Sequence, residues 1–455
     1  MVLGLCLTAA ILAWGYITGG LQIGIKMINQ GASTMIGQTL GTPMETDDQG
    51  RINVMLIGHG GGEHRGAYLA DTIIVASFDP HNGTVTMISV PRDLYIKQGT
   101  GSFGRINGLF EKTYYNNDNN MGFAAMTMMN KLTQITGIPI SYYAIINFQG
   151  FEQLIDAIGG ITIDVPESIV DTTYPKDEYQ IMTIKFDKGN QTMDGVKALQ
   201  YARSRHSTSD FSRSYRQQQV IKAMIQKLTS FSQLTNPKIL SRLYSIFTTY
   251  IHTNITLQEM LSMAQYTSQH HQIRSFVYSS DCGGMNYKMV TAACLLYSPD
   301  KSQFAGAAVL LPIGASYQKI QHYDYLKKFA SMVVYDNGFL EEKAKIVILN
   351  AIDKKQVMGS HSPNGITNRL ASKLRTFAFD VDLIGNSEEK VSQTTILIHH
   401  QDRTYDQTLK LLTTFLPPFQ SLYQAHDGSG DVDMTIMIGA DYVNTQVDDS
   451  SYGGF

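Results

Sequence analysis

Four arginines, Arg203, Arg205, Arg213 and Arg216, crowd the stretch YARSRHSTSDFSRSYRQQQ (201–219) around one acidic residue, Asp210. The whole chain carries 36 Lys+Arg against 39 Asp+Glu, a formal net charge of −3, so the cluster is a local departure. Guanidinium groups gathered at one locus suit a phosphate or pyrophosphate, which they can clamp bidentately; the alternative is an ion-pair network with Asp210 and other carboxylates. A helix starting near Ser212 would put Arg213, Arg216 and Gln217 on one face and in its first turn, where free N–H groups and the helix dipole favour an anion. Arg203 and Arg205 alternate at strand spacing, so both can point to one side. A second locus, SVPRD (89–93), sets Arg92 and Asp93 at the carboxyl end of a strand, a usual place for ligand sites in α/β sheets. Asp71 opens the preceding strand, and a turn at Asn82-Gly83 would bring it to the same end. Two carboxylates beside arginines could hold a hard divalent cation, Mg²⁺ or Mn²⁺, shared with substrate phosphates. Arg105 and Asn107, in GRING (104–108), add a further polar loop.

The elements that must position these residues read as follows. INVMLIG (52–58) is a buried strand, and DTIIVASFDP and TVTMISVP form a hairpin. Residues 122–137 are an apolar, Met-rich helix. YYAIINF, FEQLIDAI, Gly159-Gly160 and ITIDVP read strand, helix, helix stop and strand, a βαβ-like unit. DGVKALQYA (194–202) and RQQQVIKAMIQKL are helices on either side of the arginine cluster. Residues 231–335 read as further amphipathic helices with one strand, AAVLLP. The sum is an α/β sandwich with a central mixed sheet flanked by helices. Near DNGFLEE (336–342) the pattern changes, and KIVILNA through DMTIMIGADY reads β-α-β-β-α-β, a small C-terminal α/β domain, with no internal repeat.

With 455 residues, 43% hydrophobic and 16% charged, the chain is of ordinary globular composition and long enough for two or three domains. The acidic balance counts against a nucleic-acid binder. The first 25 residues are uncharged, with Trp14 and Tyr16, and roughly 20 apolar residues suffice to cross a bilayer core. A signal peptide would need a basic n-region, which is missing. The expected division is a transmembrane anchor (1–25), a linker (26–50), a main domain (51–337), the C-terminal domain (341–445) and a disordered tail (446–455), with the bulk of the chain outside the cytoplasm. Cys6 falls in the anchor. Cys282 and Cys294 read either as a disulfide in an exported domain or as two buried thiols. The loop GHGGGEHRG (58–66) lacks a P-loop or dinucleotide pattern, and its His59 and His64 read as solvated rather than metal-bound.

In order along the chain, DTIIVASFDP, ISVPRDLY, GRIN, FQGFEQLIDAIGGITIDVP and DGVKALQYARSRHSTSDFSRSYRQQQVI resemble the LytR-CpsA-Psr (LCP) family of bacterial cell-wall ligases, over roughly residues 51–335. Residues 344–443 look like the smaller C-terminal domain found on some members. The resemblance implies a single-span, outward-facing membrane protein. Such a protein takes a polyprenyl-pyrophosphate-linked glycopolymer and transfers its phosphoglycosyl end to peptidoglycan or another envelope acceptor, with Mg²⁺ assisting and polyprenyl phosphate leaving. It implies pyrophosphate binding for Arg92, Arg203, Arg205, Arg213 and Gln217, and metal binding and catalysis for Asp71 and Asp93, with Arg92 between them. Arg105, Asn107 and Arg216 match motif positions grouped with the pyrophosphate set, and Asp210 one grouped with the catalytic set. The lysine usual before Ile-Asn in the family is Arg105 here, and the loop GHGGGEHRGAYLA departs from the family pattern. Phosphoryl transfer asks mainly for positioning and charge neutralisation. Asp93 is the candidate base, with Asp71 and Asp210 as alternatives. The apolar helices of 122–160 and 220–265 would supply a lipid groove. Competing readings are a hydrolase of the same pyrophosphate and a non-catalytic receptor for envelope polymer or lipid.

Overall fold

The computed structural model describes residues 42–62, 66–175, 180–204, 210–230, 236–263, 272–280, 291–357, 364–424 and 431–445. The expected anchor (1–25) and tail (446–455) lie outside the described residues. Among the described residues no helix is long and apolar enough to cross a membrane.

Strands β1 (Ile52–His59), β2 (Thr72–Phe78) and β3 (Val85–Ser89) form an antiparallel meander, with Val54 opposite Ala76 and Val75 opposite Ile88. Gly83 makes the expected turn, its N–H donating to Asp79 O at 2.9 Å and its φ of 72° lying where a Cβ is strained. Hairpin β4 (Tyr95–Gly99) and β5 (Ser102–Arg105) runs almost directly into α1 (Asn107–Asn116). Arg105 and Asn107, expected in a loop, therefore close a strand and open a helix. Helix α2 (Met121–Thr136) begins at Asn120, whose side chain accepts from the Phe123 N–H, and stops at left-handed Gly137.

β6 (Tyr142–Asn147), α3 (Phe148–Ala157) and β7 (Ile161–Val165) follow in the expected order. They are succeeded by β8 (Ile169–Pro175), β9 (Ile181–Phe186) and β10 (Gly189–Met193). The βαβ reading fails: β7 leaves the main sheet and pairs antiparallel with β10, while β8 pairs with β9. Its alternation explains why. Ile161, Ile163 and Val165 are buried and Thr162 and Asp164 exposed, the pattern of a strand covered on one face only, whereas an interior parallel strand is covered on both.

Helices α4 (Gly195–Arg203), α5 (Asp210–Ser230) and α6 (Pro237–Tyr250) come next, then β11 (Ile251–Thr253), α7 (Leu257–Met263) and β12 (Ile273–Tyr278). β13 (Thr291–Ala293), β14 (Leu296–Tyr297), β15 (Leu311–Pro312) and α8 (Asp324–Val334) complete this part. AAVLLP, expected as the one strand here, supplies only the two residues of β15. The strands of this region that join the main sheet are β11, β12 and β13, of which β12 is the longest and is buried from Arg274 to Tyr278.

The main sheet has seven strands in the order β11-β6-β1-β2-β3-β12-β13, parallel at β1/β6, β3/β12 and β12/β13, so it is mixed as expected. Side chains alternate across it. Met55, Ile57, Val75 and Ile88 share a core with Met128 and Leu132 of α2 and Phe329 of α8. Val54, Leu56, Ile74 and Met87 face the other way, toward Ile221 of α5 and Phe247 of α6. The described end of the expected linker is packed on the domain. Met44 is buried, and the Asp47 carboxylate accepts from the Arg51 N–H, Asn53 Nδ2 and the Tyr335 hydroxyl at 2.9, 2.7 and 2.7 Å.

Beyond α9 (Phe339–Glu342), the C-terminal part contains β16 (Lys345–Ile352), α10 (Ile366–Thr376), β17 (Asp380–Val391), β18 (Thr395–Ile398), α11 (Asp406–Leu412), β19 (Gln420–Tyr423), β20 (Met434–Ile438) and α12 (Ala440–Thr445). Its sheet runs β17-β16-β20-β18-β19. β16 and β17 are a parallel pair joined through a helix, and so are β18 and β19. The strand-helix-strand unit thus occurs twice, as the β-α-β-β-α-β reading implies, but the second unit closes with β19 and not with β20. β19 carries no strand signal, because all four of its residues are exposed on an edge, with no apolar alternation.

Candidate functional site

The register brings four strand ends together: Gly58 opposite Thr72, Ile74 opposite Ser89, and His59 beside Asn147. Just beyond them lies a chain of alternating charges. Arg92 Nη1 is 2.6 Å from Asp71 Oδ1, Arg92 Nε 3.5 Å from Asp93 Oδ2, and Arg105 Nη1 2.9 Å from Asp93 Oδ1. Facing this end of the sheet are the end of α4 and the start of α5. Between sheet and helices α3, α4 and α5 is a cavity of about 320 Å³. Its body is apolar, with Val54, Leu56, Phe151, Val220 and Ile221 among its walls, and its polar end holds Asp71, Arg92, Arg203, Arg213 and Gln217. Three arginines less one aspartate leave that end with two positive charges. The expected groove is therefore built from α5 and the segment 144–154, while α2 packs against the opposite face of the sheet.

Arg203 is the last residue of α4, not part of a strand, so the strand-spacing argument for Arg203 and Arg205 does not hold. Its guanidinium carbon sits 4.4 Å from the Phe148 ring centroid and 5.4 Å from that of Tyr174, and Nη1 donates to the Tyr174 hydroxyl at 3.3 Å. Burial pushes the Tyr174 hydroxyl up, against the pull of Arg203, keeping it protonated. Arg205 lies outside the described residues.

Helix α5 is described from Asp210, near the expected Ser212, which puts Arg213 four residues into it and Arg216 and Gln217 in the next turn. Arg213 and Gln217, four apart, both reach the cavity. Arg216 does not. Only 6% exposed, it donates Nε to Tyr201 O at 3.0 Å and Nη2 to Ser204 O. These are carbonyls at the end of α4, where helix acceptors lack partners and the dipole is negative. Arg216 is a capping cation and not a wall of the anion site.

Asp71 lines the cavity; Asp93 does not, being held between Arg92 and Arg105. Asn107 is 5% exposed and acts through its backbone: its N–H donates to Arg92 O and its carbonyl accepts from the Ala70 N–H, both at 3.2 Å. It thereby ties together the two segments that carry Asp71 and Arg92. Among the described residues no three His, Cys, Asp or Glu converge as a metal cage. Asp71 and Asp93 are hard-oxygen donors of the kind Mg²⁺ takes, each ion-paired with arginine in this structure.

His59, expected to be solvated, is 3% exposed, stacks on Tyr68 at 5.1 Å and has Nδ1 3.2 Å from Ala67 O. Since a carbonyl only accepts, Nδ1 carries the proton. Burial pushes its pKa down. His64 and Cys282 lie outside the described residues; Cys294 is buried. Several wall residues carried no sequence signal, Phe148 and Thr72 among them. Asn147, also in the wall, caps α3 by accepting from the Gly150 N–H at 2.8 Å. Gln218, 1% exposed, donates to Ser89 Oγ at 2.7 Å and Phe276 O at 2.8 Å, bolting α5 to the sheet.

A family model described as "LytR_cpsA_psr family" matches residues 24–305. The chain is 32% identical over 204 residues to the polyisoprenyl-teichoic acid–peptidoglycan teichoic acid transferase TagV of Bacillus subtilis, covering 44% of this chain and 48% of that protein. It is 28% identical over 217 residues to the transferase TagU of Bacillus cereus, covering 47% and 63%. These matches thus span about half to three-fifths of the relatives' length. Against the crystal structure of B. subtilis TagV the identity is 23% and the TM-score 0.44, covering 63% of this chain and 98% of that one.

Proposed function

This chain belongs to the LytR_cpsA_psr family, and from that premise we propose that it is a membrane-anchored phosphotransferase. It moves a phosphoglycosyl group from a polyprenyl-pyrophosphate carrier to peptidoglycan or another envelope acceptor. The observation that carries this reading is one apolar cavity ending in three arginines, a glutamine and an aspartate. An apolar body with a cationic end suits an anion attached to a hydrocarbon. At about 30 Å³ for each water-sized group, the cavity would hold on the order of ten carbon atoms, a stretch of prenyl chain. The names of the relatives, transferases of polyisoprenyl-linked teichoic acid, agree with it.

In this mechanism an acceptor hydroxyl attacks the sugar-proximal phosphorus. The bond from that phosphorus to the bridging oxygen breaks, its electron pair leaves with polyprenyl phosphate, and the hydroxyl proton passes to a carboxylate. Asp71, at the cavity wall, is better placed to take it than Asp93, which two guanidinium groups already engage. Arg92, Arg203 and Arg213 neutralise the diphosphate, and Gln217 donates from the same helix face. Arg205 and Asp210 retain their assignments to the pyrophosphate and catalytic sets. Mg²⁺ held by Asp71 and Asp93 would add charge neutralisation on the diphosphate. Residues 1–25 would anchor the chain with its bulk outside the cytoplasm, and the C-terminal part would be the LytR-type C-terminal domain.

Arg203→Ala tests the reading. Transfer of lipid-linked glycan to an acceptor polymer should fall by about 10²–10³-fold, with the unfolding midpoint nearly unchanged. Full activity would overturn it. Release of polyprenyl phosphate without conjugate, with acceptor supplied, would reassign the chain as a hydrolase.

A further inference from the structure

Arg203 at the cavity end is gripped by aromatic rings, and how one of those rings reaches it is unusual. β8 carries Tyr174 in a hairpin with β9 that lies outside the main sheet. Along β8, Ile169 and Asp171 are buried while Val170 and Thr172 are exposed, the regular alternation of a strand. Continued, that alternation would bury Thr173 and expose Tyr174. Instead Thr173 is exposed and Tyr174 is 5% exposed. The register with β9 shifts between Asp171 and Tyr174, a bulge that Asp171 Oδ1 holds by accepting from the Thr173 N–H at 3.0 Å and Thr173 Oγ1 at 3.1 Å. A bulge of this kind re-aims a side chain, and here it delivers the Tyr174 hydroxyl to within 3.3 Å of Arg203 Nη1. Phe148, at the start of α3 and itself a cavity wall, stacks on the same guanidinium at 4.4 Å.

We infer that Tyr174 and Phe148 are positioning residues that act through Arg203. The two rings hold the guanidinium plane, and the hydroxyl occupies one N–H, so that the remaining N–H fork is presented to the diphosphate at the cavity end. A long arginine side chain fixed before binding loses less rotamer freedom on binding, and its planar fork is what a phosphate recognises. This inference rests on the cavity end being a diphosphate site.

The test is binding of farnesyl diphosphate to the full chain, measured by calorimetry. The proteins compared are wild type, Tyr174→Phe, Tyr174→Leu, Phe148→Leu, Arg203→Ala, and each aromatic variant combined with Arg203→Ala. Tyr174→Phe, which keeps the ring, should weaken binding by about threefold, and either Leu variant by about tenfold. In the Arg203→Ala background none should weaken it further, because their effect runs through the missing guanidinium. A structural role would instead give losses that multiply. Multiplying losses, or unchanged affinity in all three aromatic variants while Arg203→Ala loses affinity, would overturn the inference and leave the diphosphate reading standing. No binding by the wild type would overturn both.

Discussion

Arginine side chains four or fewer residues apart do different work here. Arg213 and Gln217 point into the cavity, while Arg216, between them in sequence, turns back to the carbonyls of Tyr201 and Ser204. Arg216→Met keeps the length and removes the charge, leaving those buried acceptors short of donors. It should cost roughly 2–4 kcal/mol in urea unfolding, whereas Arg203→Ala should cost activity and little stability. A variant at Arg216 with wild-type stability would remove the capping role. His59 makes a second residue-scale prediction. Its pKa is lowered by burial from the ordinary 6.5, so below that value the unfolded chain takes up a proton that the folded chain resists. Stability is full above about 6.5 and falls as the pH drops through the depressed native value. Urea midpoints measured across that window should fall toward acid, and His59→Gln should flatten the slope, though not abolish it, since the His252 pKa is lowered too. The residue types of the site were legible because clustered guanidinium groups and strand-end carboxylates are unusual in any sequence. Their directions were not. Which of Arg213, Arg216 and Gln217 reaches the cavity depends on the register of α5 against the sheet and on the open end of α4, and neither is local to the stretch.

The elements were legible where a local signal sufficed: the Asn82-Gly83 turn, the Gly159-Gly160 stop after α3, and the continuous apolar run of β1. The partner of each strand was not. The alternation of β7 marks a strand covered on one face, yet nothing within it names β10 as its partner, and nothing within β12 names β3 and β13. Helix contacts were equally hidden. Gly195 opens α4 directly against the backbone of α3, where an added Cβ would lie 2.2 Å from Glu152 O and 2.6 Å from its Cα. Backbone cannot yield as a side-chain tip can, so Gly195→Ala must push α4 away from α3. The loss should be at least about 1–3 kcal/mol. Because α4 ends in Arg203, which stacks on Phe148 of α3, activity should fall by more than the unfolded fraction explains. An Ala variant with wild-type unfolding and transfer would show that the α3–α4 contact does not set the site.

At the scale of the molecule, the change of sequence pattern near residues 336–342 is a change in element order and not a gap in the core. Phe329 of α8, fully buried, has its ring 5.5 Å from Phe276 of the main sheet and 6.3 Å from Phe377 beside the C-terminal sheet. Lys328 lies 4.4 Å over the Phe415 ring, and burial together with Lys373 lowers its pKa. The connecting helix is tied in from both sides. Glu341 pairs with Arg274 of β12 at 2.6 Å, and Glu342 accepts from the Gln407 and Thr408 N–H groups at the start of α11 at 2.9 and 2.7 Å. Two parts sharing a core in this way should unfold together, so calorimetry should record one transition whose van't Hoff and calorimetric enthalpies agree. Phe329→Ala, which opens a cavity at the junction, should cost about 3–5 kcal/mol and lower the stability of both parts at once. Two resolved transitions, with only one shifted by Phe329→Ala, would mean that the parts fold independently. Cooperative unfolding would instead mean that the C-terminal part supports, from the far face of the sheet, the strands whose opposite face walls the cavity.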